Sequence, residues 1–303
     1  MKIAIGLDTD GPLEQTLARA RRLREQGFTS MWASQIFGPD TLTVLAVVGR
    51  EFEDVDLGTA VVPIQPRHPS MLAAQARTVQ EAIGGALSLG IGLSHQVIVE
   101  GLWGISFDKP ASYMSEYLHA LGPMLRGENV NVHGERVSAV ALSPVGPKQT
   151  PTPGLLVAAL GPKMLELAGA LSDGTVLWMT GQRTIASHIA PHLRAAASAS
   201  HRPAPRIVCS LPVIVTTDVT RARERINEEL AIYTTLPSYA AMLEREGVAE
   251  PADVSLIGSS QQVLERLDAL CEAGVTEFSG VTSGTSEERE ASLDILLEYS
   301  RVR

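Results

Sequence analysis

The stretch at 155–181, LLVAALGPKMLELAGALSDGTVLWMTG, leaves few options for the fold. An apolar run at 155–159 ends in Leu160-Gly161-Pro162, an amphipathic segment continues to Leu171, and Asp173-Gly174 turns the chain into a second apolar run at 175–179. Short runs that are apolar throughout, separated by a helical pattern, indicate parallel strands buried on both faces and joined by a crossover helix. Gly161 lets the backbone approach a ligand closely, and Pro162 suits a first helical position, where its missing N–H costs little. The free amides of such a helix start can hold an anion, often a phosphate. The same Gly-Pro pair can equally do no more than close a tight loop.

The alternation continues along the whole chain. Strands are expected at 2–7, 29–33, 56–62, 86–91, 155–159, 175–179, 206–216 and 276–281. Helical patterns occupy 12–26 (stopped by Gly27), 40–52 (capped by Asp40), 70–83 and 112–125. Further helices are expected at 184–200, 219–246 with a break near Pro237, 260–273 and 287–302, and 129–141 alternates like an inserted hairpin around His133-Gly134. Eight strand–helix units in 303 residues predict an α/β fold, a (β/α)8 TIM barrel with insertion segments. A doubly wound open sheet is the runner-up, but no GxGxxG opens the first helix. No proline- or serine-rich linker divides the chain, so 1–303 is read as a single domain.

Composition narrows the partners. Aromatic residues make up 4% of the chain, so Ala, Val, Leu and Ile must build the core. The formal charge is −9 and no Lys/Arg block stands out, which argues against nucleic-acid and anionic-membrane partners. Cys209 and Cys271 lie in apolar surroundings without a CxxC pair, as expected of free thiols in a reducing cytosol. The N-terminus turns acidic too soon for a signal peptide, and no apolar run approaches a membrane span. A cytoplasmic location is expected.

A barrel gathers its chemistry at the C-terminal strand ends. Those ends read Asp8-Thr9-Asp10, Ser34-Gln35, Val61-Val62-Pro63, Gly92-Leu93-Ser94-His95, Ala159-Leu160-Gly161 and Trp178-Met179-Thr180. They offer no facing carboxylate pair, no lysine suited to a Schiff base and no His/Asp/Glu metal set. Asp8 and Asp10 more often cap the next helix than react, and isolated histidines such as His68 and His95 more often pack than act as bases. Small, neutral strand ends suit a bound cofactor that carries the chemistry itself.

The order and spacing of several short motifs carry a family resemblance. They are Gly27-Phe28-Thr29-Ser30-Met31-Trp32, Leu57-Gly58-Thr59-Ala60-Val61, His68-Pro69 with Ala73-Ala74-Gln75-Ala76, and Ser88-Leu89-Gly90-Ile91-Gly92. Ala158–Gly161 with Ala168 and Asp173-Gly174, Ile257-Gly258-Ser259 with Val263, and Ala273-Gly274-Val275-Thr276-Glu277-Phe278 complete the set. On these the chain resembles, along nearly its whole length, the luciferase-like monooxygenase superfamily and within it the coenzyme F420-dependent oxidoreductases. The resemblance implies a barrel whose insertion covers one side of the mouth, and a homodimer. It also implies a non-proline cis peptide at Ala60-Val61 behind the deazaflavin ring. Gly92, Leu93 and Ser94 would run along the cofactor, with Trp178 also against it, and Ala159, Leu160, Gly161 and Lys163 would hold its phosphate.

One departure bears on the reaction. Alcohol-oxidising members of the family keep an acid–histidine pair just after the second strand, where this chain has Ser34-Gln35-Ile36. The expected activity is therefore hydride transfer between F420 and a small, largely uncharged organic substrate, with C=C or C=N reduction favoured over alcohol oxidation. Gln35 and Ser34 would orient that substrate, and His95 is the first candidate for a base. The alternatives are an FMN-dependent monooxygenase of the same superfamily and a non-catalytic barrel that only binds a flavin or deazaflavin.

Overall fold

The computed structural model describes residues 1–35 and 37–302, so Ile36 lies outside the described residues. Eight strands follow the apolar runs: β1 Lys2–Gly6, β2 Ser30–Ala33, β3 Asp56–Thr59, β4 Leu87–Gly92, β5 Gly154–Val157, β6 Gly174–Trp178, β7 Arg206–Val215 and β8 Glu277–Thr282. Each pairs in parallel with the next, and β8 pairs with β1 through Ile3↔Phe278 and Ala4↔Ser279, which closes the sheet. The molecule is a (β/α)8 barrel, as the alternation predicts. The helices that matter for the mouth are α1 Leu13–Gln26, α2 Thr41–Gly49, α3 Pro69–Ala82, α4 Pro110–Leu125 and α5 Pro162–Leu171. The expected insertion is a two-stranded hairpin, Val130–His133 against Ser138–Ala141.

Local chemistry sets the boundaries. Gly27 ends α1 in the left-handed conformation at φ 119°, and the Asp40 carboxylate accepts from Thr43 N at 2.8 Å to start α2. Asp8 and Asp10 do not cap α1, whose N-cap is Pro12 without a side-chain bond. Instead Asp8 accepts from Asp10 N at 2.9 Å and pairs with Arg19.

Two expectations need correction. The third strand is not continuous over 56–62: it breaks after Thr59 and resumes at Val62–Pro63, and the intervening Ala60–Val61 peptide is cis. The helix expected at 219–246 does break at Pro237, where Leu236 is extended, but it breaks again at Leu230-Ala231 and so forms three pieces, Val219–Glu229, Ile232–Thr235 and Pro237–Glu246. Two short elements also had no clear periodicity to announce them: the helix Gln96–Gly101 and the strand Leu256–Gly258, which pairs with the far end of β7.

Two shells of apolar side chains flank the sheet. Outward-facing residues such as Ile5, Met31, Leu57, Leu89, Leu177 and Phe278 pack under the helices in the large core. Inside the barrel, Ala4, Trp32, Leu156, Val176 and Val208 form a separate layer touched by Ala60 and Val61. Below it, the Glu277 carboxylate is 3% exposed and accepts from Ser30 Oγ (3.0 Å), Trp32 Nε1 (2.9 Å) and Arg206 Nη2 (2.9 Å). A buried carboxylate persists only with such compensation. This polar floor is at the N-terminal strand ends, where a barrel invests in stability rather than chemistry.

Trp32 fits because β3 offers it no side chain: a Cβ on Gly58 would lie 2.4 Å from the indole ring. Gly58→Ala is expected to lower stability by about 1–3 kcal/mol through overpacking, read as a lower midpoint in urea denaturation with little change in slope.

Candidate active site

The mouth is built from small groups. Gly92, at the end of β4, faces Val61 and Ala158 so closely that a Cβ there would meet Val61 Cγ2 at 2.7 Å. At the end of β1, a Cβ on Gly6 would meet Val281 Cγ2 at 3.2 Å. The bulge at Ala60–Val61 is fixed from β2: Ala60 N donates to Ala33 O (2.8 Å), Gln35 N to Val61 O (3.2 Å) and Ser34 Oγ to Ala60 O (2.8 Å). Thr59 Oγ1 donates to Gly90 O at 2.7 Å from the other side. The cis peptide thus lies where the resemblance implies it. Two non-glycine residues take a left-handed φ just past strand ends, Ser94 at 56° after β4 and Met179 at 51° after β6. Such outliers cluster at binding sites.

Of the helix starts around this mouth, those after β5 and β6 differ. The one after β6 is filled by the protein itself: the Glu246 carboxylate accepts from Arg183 N at 3.0 Å and Thr184 N at 2.7 Å. The one after β5 is open. Gly161 is the N-cap of α5 with no side-chain hydrogen bond, Pro162 occupies the first turn, and a Cβ on Gly161 would meet nothing within 4 Å. Lys163 N and Met164 N have no acceptor inside the helix, and the exposed Lys163 side chain sits beside them. From below, His188 Nε2 donates to the Leu160 carbonyl at 2.8 Å, and His192 Nδ1 lies 2.7 Å from the His188 carbonyl. Neither His188 nor Glu246 is near a strand end in sequence, so motif reading had no signal for them.

The expected site residues are brought together with different partners. Ser34, Ala60, Val61, Gly92, Leu93 and Ser94 line the β2–β4 side, while Ala159, Leu160, Gly161 and Lys163 form the β5 turn. Trp178 ends β6. Gln35 turns away to brace the loop before α2: its Oε1 accepts from Thr41 N at 2.8 Å, and its Nε2 donates to Pro39 O at 3.3 Å. Arg67 approaches the same Oε1 at 3.5 Å while pairing with Asp40 at 3.0 Å, so this arginine is occupied. Burial alone would raise the Asp40 carboxyl, but hydrogen bonds from Thr43 and Arg67 outweigh it and hold the group below the usual carboxylate range. His68 is a capping residue, with Nδ1 toward Ser70 and Nε2 donating to Ser138 O at 2.9 Å.

Aromatic side chains close the other side. The Trp178 and Tyr233 rings are 6.0 Å apart at 65°, Tyr233 and Tyr239 are 4.9 Å apart at 86°, and Tyr239 lies 5.8 Å from the His95 ring. This row runs from the end of β6 to the loop after β4. Burial raises both phenols; the Trp178 N–H, which makes no hydrogen bond of normal geometry, still offsets part of the rise at Tyr233. Burial also lowers the His95 pKa. An apolar depression of about 240 Å³ between α1 and α2, lined by Leu13, Val44 and Val47, lies beside the mouth and holds no group from β2–β8. Among the described residues no cluster could hold a metal ion.

Two predictions follow from these contacts. Gln35→Ala is expected to destabilise by about 1 kcal/mol through loss of the brace on the Thr41 amide, read by thermal denaturation. Because the folded state disfavours charged His95, its imidazole should titrate below pH 6.5 in an NMR titration. The folded protein then keeps that contribution above the unfolded value near 6.5 and loses it as the pH falls.

A family model described as luciferase-like monooxygenase matches residues 1–277. The chain is 28% identical over 178 residues to 5,10-methylenetetrahydromethanopterin reductase of Methanolobus tindarius, covering 58% of this chain and 54% of the relative. A putative coenzyme F420-dependent oxidoreductase of Mycobacterium tuberculosis is 30% identical over 163 residues, covering 50% and 47%. The chain thus spans about half the length of each of these curated relatives. An F420-dependent secondary alcohol dehydrogenase in complex with an F420–acetone adduct superposes with TM-score 0.80 and 15% identity over 99% of both chains, a likeness of fold alone. With most of its length matched, this chain belongs to the luciferase-like monooxygenase family.

Proposed function

We propose that the protein transfers a hydride between coenzyme F420 and a small, largely uncharged organic substrate, with reduction of a polarised C=C or C=N favoured over oxidation of an alcohol. The observation that carries this reading is the contrast between the two helix starts. One is closed by Glu246, and the other, at Gly161, is left open and uncapped beside a mouth of small residues. Its free amides, the helix dipole and Lys163 suit a phosphate-bearing cofactor. The mouth fits a flat ring as well, since Gly92 and the bulge at Ala60–Val61 present backbone where side chains would block it. F420, when bound, supplies or accepts the hydride.

The chain's own groups bias the direction. Taking a hydride from an alcohol needs a base at the hydroxyl, and the β2 loop provides only Ser34, bound to Ala60 O, and Gln35, bound to the α2 loop. His95 packs against Tyr239 rather than standing at that loop. Reduction of a C=C or C=N needs a single proton on the atom that does not receive the hydride, and solvent at the open mouth can deliver it. Near the β2 loop Asp40 is paired with Arg67 and Asp8 with Arg19, while the Asp10 carboxylate approaches Gly38 and would repel an anion, which favours an uncharged substrate. A relative named as a putative F420-dependent oxidoreductase supports F420, while a solved neighbour of the same fold in complex with FMN makes FMN the alternative.

Titration of the purified protein with F420 and with FMN, followed by cofactor fluorescence, tests the reading. Saturable F420 binding with FMN at least tenfold weaker is expected; the reverse order would replace it with a flavin monooxygenase. Gly161→Asp should reduce F420 affinity by at least tenfold, because a carboxylate would then occupy the anion position. The open space around Gly161 means the fold should survive, as circular dichroism would show.

A further inference from the structure

Hydrogen-bond donors without partners gather on the β6–β7 side of the mouth. Ser210 is 5% exposed, and its Oγ has no hydrogen-bond partner. It lies directly across the β6–β7 ladder from Trp178, whose buried Nε1 likewise makes no hydrogen bond of normal geometry. Val208, two residues before Ser210, belongs to the layer inside the barrel, so strand alternation turns Ser210 inward as well. Tyr233 leans on Trp178, and Tyr239 on Tyr233. Both tyrosines are half-buried, and the Tyr233 oxygen lies near enough to the Trp178 N–H to feel it. Buried donors ordinarily find acceptors, and buried tyrosine and tryptophan tips almost always do. Ser210 and Trp178 are two such donors side by side, with the aromatic row next to them, and an acceptor from outside the chain would satisfy both.

We infer that this patch is the substrate subsite, with Ser210 and Trp178 as specificity-determining residues that hold the carbonyl-type oxygen of a flat, neutral, conjugated compound and Tyr233 and Tyr239 as its aromatic wall. Donors aimed at that oxygen draw electron density out of the adjacent double bond and favour charge that develops there as a hydride arrives. The aromatic row supplies edges and faces for a planar body. A carboxylate would find no cation among these four side chains. The use of the subsite rests on the hydride-transfer reading above, but its binding preference rests on the donors alone.

Calorimetric titration separates the two. Coumarin is a planar neutral lactone, and naphthalene matches its size without an acceptor; both are titrated into the cofactor-free and the F420-loaded protein. Coumarin should bind more tightly than naphthalene. Ser210→Ala should weaken coumarin about five- to tenfold, as for one lost hydrogen bond, while leaving naphthalene and F420 affinities unchanged. Ser210→Ala removes a hydroxyl that bonds nothing in the protein, so its fold is not at risk. Equal losses for both probes, or none, would overturn the inference. A parallel loss of F420 affinity in this variant would also overturn it, by giving the donors to the cofactor ring instead. If F420 fails to bind while coumarin still discriminates, the subsite stands and the hydride-transfer reading falls.

Discussion

The barrel closes around one large side chain. Trp32 fills the centre of the inner layer, lies against the bare backbone of Gly58, and gives its N–H to the buried Glu277 carboxylate. The other members of that layer are Ala4, Leu156, Val176 and Val208, so one indole takes up volume that several branched side chains would otherwise share. Removing room at Gly58 or charge at Glu277 disturbs the same contact from opposite ends. The strands keep their register because this packing has a single solution.

Filling the centre from below leaves the top shallow and lined by little. Above the Trp32 layer come Gly6, Ser34, Ala60, Gly92 and Ala158 on one side and Trp178 and Ser210 on the other. The two sides differ in chemistry. Around β2–β4 the polar groups are consumed by one another: Ser34 by Ala60 O, Gln35 by the α2 loop, Arg67 by Asp40. On the β6–β7 side, donors are left over. A mouth that is satisfied on one side and unsatisfied on the other has a direction in which a ligand must lie.

Electrostatics at the rim follow the same logic. A helix start attracts negative charge, and the chain supplies its own at Arg183–Thr184 through Glu246. The helix that carries Glu246 also carries Tyr239, so the plug and part of the aromatic row are one rigid piece. The Gly161 start keeps its attraction for an external anion, and His188 holds its Leu160 carbonyl in place from beneath. Anchor, ring surface and substrate patch are thus distributed over β5, β3–β4 and β6–β7.

The sequence by itself determined the architecture and the location of the mouth. Apolar runs of strand length between helical periods, stop signals such as Gly27 and the cap Asp40 are local properties, so they can be read without knowing neighbours. The Gly161-Pro162 pair marked its turn in the same way, whereas the bulge at Ala60-Val61 was implied only by the family resemblance. Tertiary structure decided the rest, because each item depends on partners far apart in the chain. Gln35 was expected to orient a substrate, yet its amide is claimed by Thr41 and Pro39. Glu246 reaches back 62 and 63 residues to fill one helix start. Tyr233 and Tyr239 lie in a helical stretch with no strand-end signal, and only folding sets them beside Trp178 and His95. A hydrogen bond left unmade, as at Ser210, becomes visible only once every possible partner has a position.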